Sequence, residues 1–361
     1  MSIAFLIAFE KNPYSGVVRP FINWAKKLKC KKKCDVDFLL IETGQKIAEI
    51  LSKSSFNFYD FPNSRDLSRF CKEKGYELIF SDDYIERLEI LDKIRGDFRK
   101  AVYTQVLYGI HAISAIHNPL SFKEKLIFST AKFIPFSIIR KRYTTLLKGA
   151  DVIIANSQTT ANLLHILYGL EPKGVVYPPL DTEVFKPHKI EKRDQVVLYL
   201  GSHAGDTDES FVRKILKVLE SRSFEVLIMG NKIFREKLQT EFNVTQISDV
   251  SDDELARVYS RCKLVVCPQE WETFGYVPME SMLCGTPVLA FASQPFSELV
   301  QDKDTAQLVY GRRALLERLK EMLTDISRLR LMQQKCFQNR EYLLNNVSKT
   351  HSANKLLAIL S

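Results

Sequence analysis

Two glutamates, Glu272 and Glu280, bracket the segment of this 361-residue chain with the clearest chemical potential. They lie in Pro268-Gln-Glu-Trp-Glu-Thr-Phe-Gly-Tyr-Val-Pro-Met-Glu-Ser-Met-Leu-Cys-Gly-Thr-Pro287, directly after the apolar run Leu264–Cys267. The pattern predicts a strand, a loop at its carboxyl end, and a helix over Thr273–Cys284 that Gly285 stops. The amides of Thr273, Phe274 and Gly275, lacking partners within such a helix, would face an anion. Gly275 lets that backbone approach a ligand closely. Glu272 would stand at the mouth of the site. Glu280, about two turns into the helix, could accept two hydrogen bonds from a vicinal diol such as a ribose. Taken singly, Glu272 reads equally well as a helix-capping acid and Glu280 as a surface residue.

The elements that position these residues alternate along the chain. Candidate strands are Ile3–Phe9, Val36–Glu42, Glu77–Phe80, Ala101–Tyr108, Val152–Asn156 and Gly174–Tyr177, then Gln195–Gly201, Phe224–Met229, Val244–Ile247, Leu264–Cys267 and Pro287–Phe291. Amphipathic stretches such as Ser157–Tyr168, Glu209–Ser221, Ile233–Phe242 and Asp252–Arg261 separate them. Strand and helix in repetition imply an α/β protein with parallel sheets wrapped by helices. Pro178–Pro187 and the charged stretch Lys189–Asp194 read as a linker, giving domains over 1–185 and 186–340 and a final helix over 341–361. No strand pattern is visible beyond Phe291. Ligands of doubly wound sheets sit at the carboxyl ends of the strands, so two facing domains would form a deep cleft suited to two substrates.

Glu272-x7-Glu280, with Phe274-Gly275 between and Met282-Leu-Cys-Gly-Thr-Pro-Val288 after, resembles the signature of retaining glycosyltransferases of the GT-B fold, family GT4 (glycosyl transferases group 1). Asp253–Ser260 is similar to the helix before the signature strand, Ile247–Ser251 to the loop receiving the nucleotide base, and Ala150–Ser157 and Val175–Phe185 to the end of the first domain. Pro13-Tyr-Ser-Gly-Val17 resembles a degenerate glycine loop. The resemblance implies two Rossmann-like domains, with C-terminal helices crossing back to the first. It implies hexose transfer from a nucleotide-diphosphate sugar to a sugar, lipid-linked or other glycan acceptor, with no further cofactor and no bound metal. Glu280 would hold the donor ribose, Glu272 would contact the transferred sugar without acting as a nucleophile, and Phe274, Gly275 and Thr273 would meet the sugar or β-phosphate. Gly16 and Val250 fall in the implied phosphate and base loops. His111, after the strand Ala101–Tyr108, is the histidine expected to point into the site, with His117 as competitor.

The chain departs from the family after its first second-domain strand. Relatives place an Arg and a Lys there to grip the diphosphate, whereas this chain reads Leu200-Gly-Ser-His-Ala-Gly-Asp-Thr-Asp208, with no Arg or Lys before Arg213. Ser202 and His203 in that loop, and Lys232 after the next strand, are the candidate donor contacts. Asp206 and Asp208 could hold a metal–diphosphate, but capping of the following helix is the stronger reading.

The formal net charge is +9, concentrated in Lys26–Lys33 and in Phe122–Lys148. Phe128, Phe133 and Phe136 within the second stretch suit an anionic membrane surface, as does a lipid-linked acceptor. A buried amphipathic helix fits the same pattern. The seven dispersed cysteines read as reduced thiols, and no pair completes a zinc site. Ser2–Phe9 reads as a buried strand, so the expected location is cytoplasmic with peripheral attachment at the inner membrane face. Nucleic-acid binding lacks a motif, and a dinucleotide oxidoreductase lacks Gly-x-Gly-x-x-Gly after the first strand. An epimerase or a nucleotide-sugar-binding protein without transferase activity is the alternative function.

Overall fold

A computed structural model describes residues 1–12, 15–16, 18–30, 34–105, 107, 135–201, 206–301 and 305–361. The chain divides into two compact units. The second runs from Asp181 to Asn345, and the first takes in the preceding sheet together with Asn346–Ser361.

The first unit is built on seven parallel strands among the described residues: β1 (Ser2–Ala8), β2 (Asp35–Ile41), β3 (Asn57–Phe61), β4 (Leu78–Asp82), β5 (Arg99–Thr104), β6 (Val152–Ala155) and β7 (Gly174–Val175). Their order is β3-β2-β1-β4-β5-β6-β7. In β1 the side chains alternate between two buried faces. Ile3, Phe5 and Ile7 join one core, while Ala4, Leu6 and Ala8 join the other. Burial on both sides is why the strand reads as an unbroken apolar run. On the first face Phe5 stacks on Phe21 at 5.1 Å, and Trp24 meets Tyr103 edge-on at 4.8 Å.

The same face holds Ala353, Leu356 and Leu360 of the C-terminal helix Lys349–Leu360. Ser352 accepts a hydrogen bond from Trp24 Nε1 (2.8 Å) and donates to the carbonyl of Tyr177 (2.6 Å). The last helix therefore completes the first unit's core, as the family resemblance implies.

The second unit carries six parallel strands among the described residues: β8 (Gln195–Tyr199), β9 (Glu225–Met229), β10 (Val244–Gln246), β11 (Leu264–Cys267), β12 (Val288–Phe291) and β13 (Ala306–Val309). Their order is β10-β9-β8-β11-β12-β13. β13 corrects the expectation that no strand follows Phe291. It is a four-residue edge strand carrying Gln307 and, among the described residues, paired only with β12, so neither length nor alternation announces it. β3 was missed for a similar reason: its sequence, Asn-Phe-Tyr-Asp-Phe, is half-exposed at the opposite edge of the first sheet.

Candidate functional site

Strand order fixes where ligands can sit. In the second sheet the chain runs outward from β8 to β10, then returns to place β11 on the other side of β8. The loops after β8 and β11 therefore diverge, and the crevice at such a switch point is where parallel sheets bind ligands. The loop after β11 contains Glu272.

Buried glutamines anchor that loop. Gln269 donates from Nε2 to the carbonyl of Tyr199 at the end of β8, and Gln294 Nε2 donates to the carbonyls of Cys267 (3.2 Å) and Gln269 (2.8 Å). Their Oε1 atoms, and Nε1 of Trp271, are buried without a hydrogen-bond partner among the described residues. Buried polar atoms are seldom left unsatisfied, so such a group of orphans marks a place where a ligand or water completes the bonding.

The helix begins later than the sequence suggests, spanning Tyr276–Leu283 with Gly275 as its N-cap. Gly275 sits at φ +107°, and an added Cβ would lie 2.9 Å from the ring of Phe296. A left-handed residue cannot continue a helix, so the turn ends at this point. Thr273 is consequently a loop residue, and its amide donates to the Glu272 carboxylate at 3.0 Å. Phe274 is buried edge-on to Tyr276, with ring centroids 6.1 Å apart, and its carbonyl accepts from the amide of Phe296 at 2.9 Å. Its ring is core, which leaves its backbone for any ligand contact. Pro278, in the first turn, brings no amide to be satisfied.

Glu280 is only 2% exposed and is not a surface residue. Burial and then the nearby Glu280 carboxylate push the Tyr259 hydroxyl and the Cys284 thiol well above their ordinary ranges. A buried carboxylate beside such groups is costly unless it serves a ligand or a fixed partner.

The other sequence candidates fall as follows. Val250, 40% exposed, follows Asp249 at φ +54° in the loop after β10, where a Ser251–Glu254 capping box starts the helix Asp252–Arg261. Lys232 opens the helix Lys232–Gln239 after β9, exposed and 3.7 Å from Glu236. Gly16 lies in an exposed turn ahead of the helix Val18–Cys30, in the other unit. His111, His117, Ser202 and His203 lie outside the described residues. Asp208 caps the helix Glu209–Glu220, accepting from the Phe211 amide at 2.8 Å. Although burial opposes it, hydrogen bonds from Ser210 and Phe211 and the Arg312 charge hold the Asp208 carboxyl below its usual range. Among the described residues no group of three His, Cys, Asp or Glu is placed to hold a metal.

Arg312 was missed. It follows β13, the strand the sequence hid, and lies 3.2 Å from Asp208 Oδ2 while donating from Nε to Glu270. One guanidinium thus ties the loops after β8, β11 and β13 together.

The comparisons with known proteins bear on this site. Residues 181–338 match the model of the family described as Glycosyl transferases group 1. The D-inositol 3-phosphate glycosyltransferase of Mycobacterium sp. (strain KMS) is 28% identical over 186 residues, 45% of this chain and 42% of that protein. Its counterpart in Rhodococcus erythropolis is 29% identical over 240 residues, 58% and 53% of the two chains. The chain spans about half the length of these curated relatives. HepE of Anabaena, solved with UDP and glucose, superposes with a TM-score of 0.74 at 15% identity, covering 99% of this chain and 98% of that one. Residues 181–338 therefore belong to the glycosyl transferases group 1 family, carried in a chain with the two-sheet GT-B fold.

Proposed function

We propose that this protein transfers a hexose, with retention of configuration, from a nucleotide-diphosphate sugar to a sugar, lipid-linked or other glycan acceptor. The observation that carries this reading is the buried Glu280 on the helix that follows the Glu272 loop, at the switch point of the family-matched unit. In this role Glu280 accepts hydrogen bonds from the ribose hydroxyls, Val250 lines the base loop and Glu272 contacts the sugar. As the anomeric bond breaks, negative charge gathers on the diphosphate, and fixed backbone dipoles at the Gly275 turn stabilise it. With retention the acceptor enters on the leaving-group face and its proton passes to the departing phosphate, so no glycosidase-type carboxylate pair is needed. Lys232, exposed at the carboxyl end of β9, is the first candidate to meet the diphosphate; His203, outside the described residues, is the second.

A thermal-shift screen against nucleotides and nucleotide sugars, starting with UDP and UDP-glucose, tests the donor assignment, because a selective ligand stabilises according to its occupancy. Glu280→Ala should weaken nucleotide binding at least tenfold, whereas Glu272→Ala should abolish sugar transfer and donor hydrolysis while nucleotide binding persists. Absence of any nucleotide-dependent shift would sink the proposal. A second reading, a nucleotide-sugar-binding protein or epimerase without transferase activity, draws on the lack of Arg or Lys between Gly201 and Arg213. Arg213 itself is engaged by Glu209 and Glu241. Saturable binding with no transfer or hydrolysis would favour it.

Cytoplasmic placement with peripheral membrane attachment fits the helix Phe136–Leu147, which exposes Ile138 (59%) next to Arg140 and Lys141. No helix among the described residues is long and apolar enough to cross a membrane. Flotation with anionic vesicles at low salt tests attachment, and failure to float counts against it.

A further inference from the structure

The first sheet has its own switch point, between β1 and β4, and two consecutive buried carboxylates stand there. Asp82 ends β4 and Asp83 follows it. Asp82 pairs with the buried guanidinium of Arg87, whose Nε donates to the carbonyl of Ala8 at the end of β1 (2.7 Å) and whose Nη2 lies 3.6 Å from Glu10 Oε2. Glu10 in turn accepts from the amides of Lys11 and Asn12, each at 3.0 Å, and from the Ser15 hydroxyl at 3.2 Å. Asp82 therefore acts, through Arg87 and Glu10, on the loop that leads to Gly16.

Asp83 reaches the other way. Its carboxylate accepts from the amides of Gln105 (3.0 Å) and Leu107 (2.9 Å) and from the Tyr143 hydroxyl (2.7 Å). This holds the start of the loop after β5. Both loops begin at strained residues, Phe9 at φ +57° and Leu107 at φ +46°, and neither is glycine. Such conformations cost about 1–3 kcal/mol each and persist where surrounding structure imposes them. Gln105 is 4% exposed, and its Nε2 has no hydrogen-bond partner among the described residues. A buried amide donor in that state is free to be completed by a water or by a ligand oxygen. Burial raises the Asp82 carboxyl to about 6 against the opposing pull of the Arg87 charge.

We infer that Asp82 and Asp83 are a pair of positioning residues, each fixing the first residues that follow one strand, β1 and β5, and that Asp83 thereby presents the Gln105 amide to a hydroxyl or phosphate oxygen of the substrate. The substrate part rests on the glycosyl-transfer reading above; the loop-holding part does not.

Hydrogen–deuterium exchange on the full-length protein without nucleotide tests the loop-holding part. In Asp83→Ala the Gln105 and Leu107 amides should exchange at least tenfold faster while β5 stays protected, with Asp83→Asn intermediate. In Arg87→Met the Lys11 and Asn12 amides should lose protection in the same way. With UDP-glucose, or the nucleotide sugar selected by the thermal-shift screen, kcat of the Asp83 variants should fall at least tenfold with the Kd for UDP unchanged. Gln105→Leu should raise the KM of one substrate without speeding exchange. Unchanged exchange at Gln105 and Leu107, or faster exchange with intact kcat, overturns the inference. If Asp83→Ala does not fold, Asp83→Asn supplies the same comparison. Should no nucleotide sugar bind, the transferase reading fails while the exchange data still decide whether these carboxylates hold the loops.

Discussion

Arg312 Nε donates to Glu270 Oε1 at 2.6 Å, two residues before Glu272 in the same loop. The guanidinium also lies 3.2 Å from Asp208 and 5.6 Å from the Phe211 ring centroid. Its charge is already engaged by two acids, which makes it a brace for the loop and a poor substitute for the Arg and Lys that the family resemblance implies after β8. These groups are partly exposed, so Arg312→Ala should cost only about 0.5–1 kcal/mol of stability. Turnover should fall by about tenfold, on the reasoning that small misplacement at a reacting centre is costly. Arg312→Lys, with one point charge where a fork spanned two partners, should recover part of it. Urea denaturation beside steady-state kinetics separates the two effects.

Gly275 is required by both its φ and its surroundings. Gly275→Ala forces a Cβ to within 2.9 Å of Phe296 at φ +107°. A loss of about 2 kcal/mol is expected, together with loss of nucleotide binding. Gly169 is the matched control, at φ +63° with nothing within 4 Å of an added Cβ. Gly169→Ala should cost about 1 kcal/mol and leave binding intact. Calorimetry with and without UDP reads both outcomes.

Lys192 predicts a pH dependence of stability. Its ammonium is largely enclosed, donating to the carbonyl of Cys262 (2.7 Å) and to Thr286 Oγ1 (2.5 Å), and burial lowers its pKa to about 8. The unfolded chain, with an ordinary lysine near 10.5, binds the proton more tightly than the folded one. Stability should therefore rise as the pH climbs from about 8 to 10.5, by on the order of 1–3 kcal/mol. Lys192→Met should remove that rise whatever it does to stability at pH 7. Urea midpoints for both proteins at pH 7.5 and pH 10 give the comparison, and equal slopes would refute the assignment.

Leu356 sits in the same buried cluster as Phe5, Phe21 and Trp24, more than three hundred residues away in sequence. Leu356→Ala should destabilise the first unit by about 2–5 kcal/mol. Exchange of amides in β1 and β5 should report that loss, while amides of β8 and β11 keep their protection.

The sequence makes the middle of each sheet plain but hides one edge strand of each, β3 and β13. β1, β8 and β11 are apolar runs because both their faces are covered, and Leu264–Cys267 and Asp252–Arg261 have the bounds expected for them. β3 and β13 are edge strands with polar residues, and their stability comes from neighbours that no local pattern displays. Glu272, Glu280 and Gly275 were visible as candidates because their spacing and residue types could carry chemistry in one short segment. Arg312, Gln269, Gln294, Asp82 and Asp83 were not. Each acts on a partner brought near by strand order, so only the fold reveals what it holds. The start of the Glu280 helix was misplaced because Gly275 is left-handed, a fact of conformation and not of composition.

The C-terminal helix has a consequence for how the molecule is made. Synthesis is vectorial, and domains fold in roughly the order in which they leave the ribosome. The second unit has all its described strands once Val309 has emerged and its chain is complete at Asn345. The first, though begun earlier, waits for Ala353, Leu356 and Leu360 to cover the aromatic face around Trp24. The unit encoded first is thus finished last, and during that interval its open face is the part of the nascent chain most in need of a chaperone.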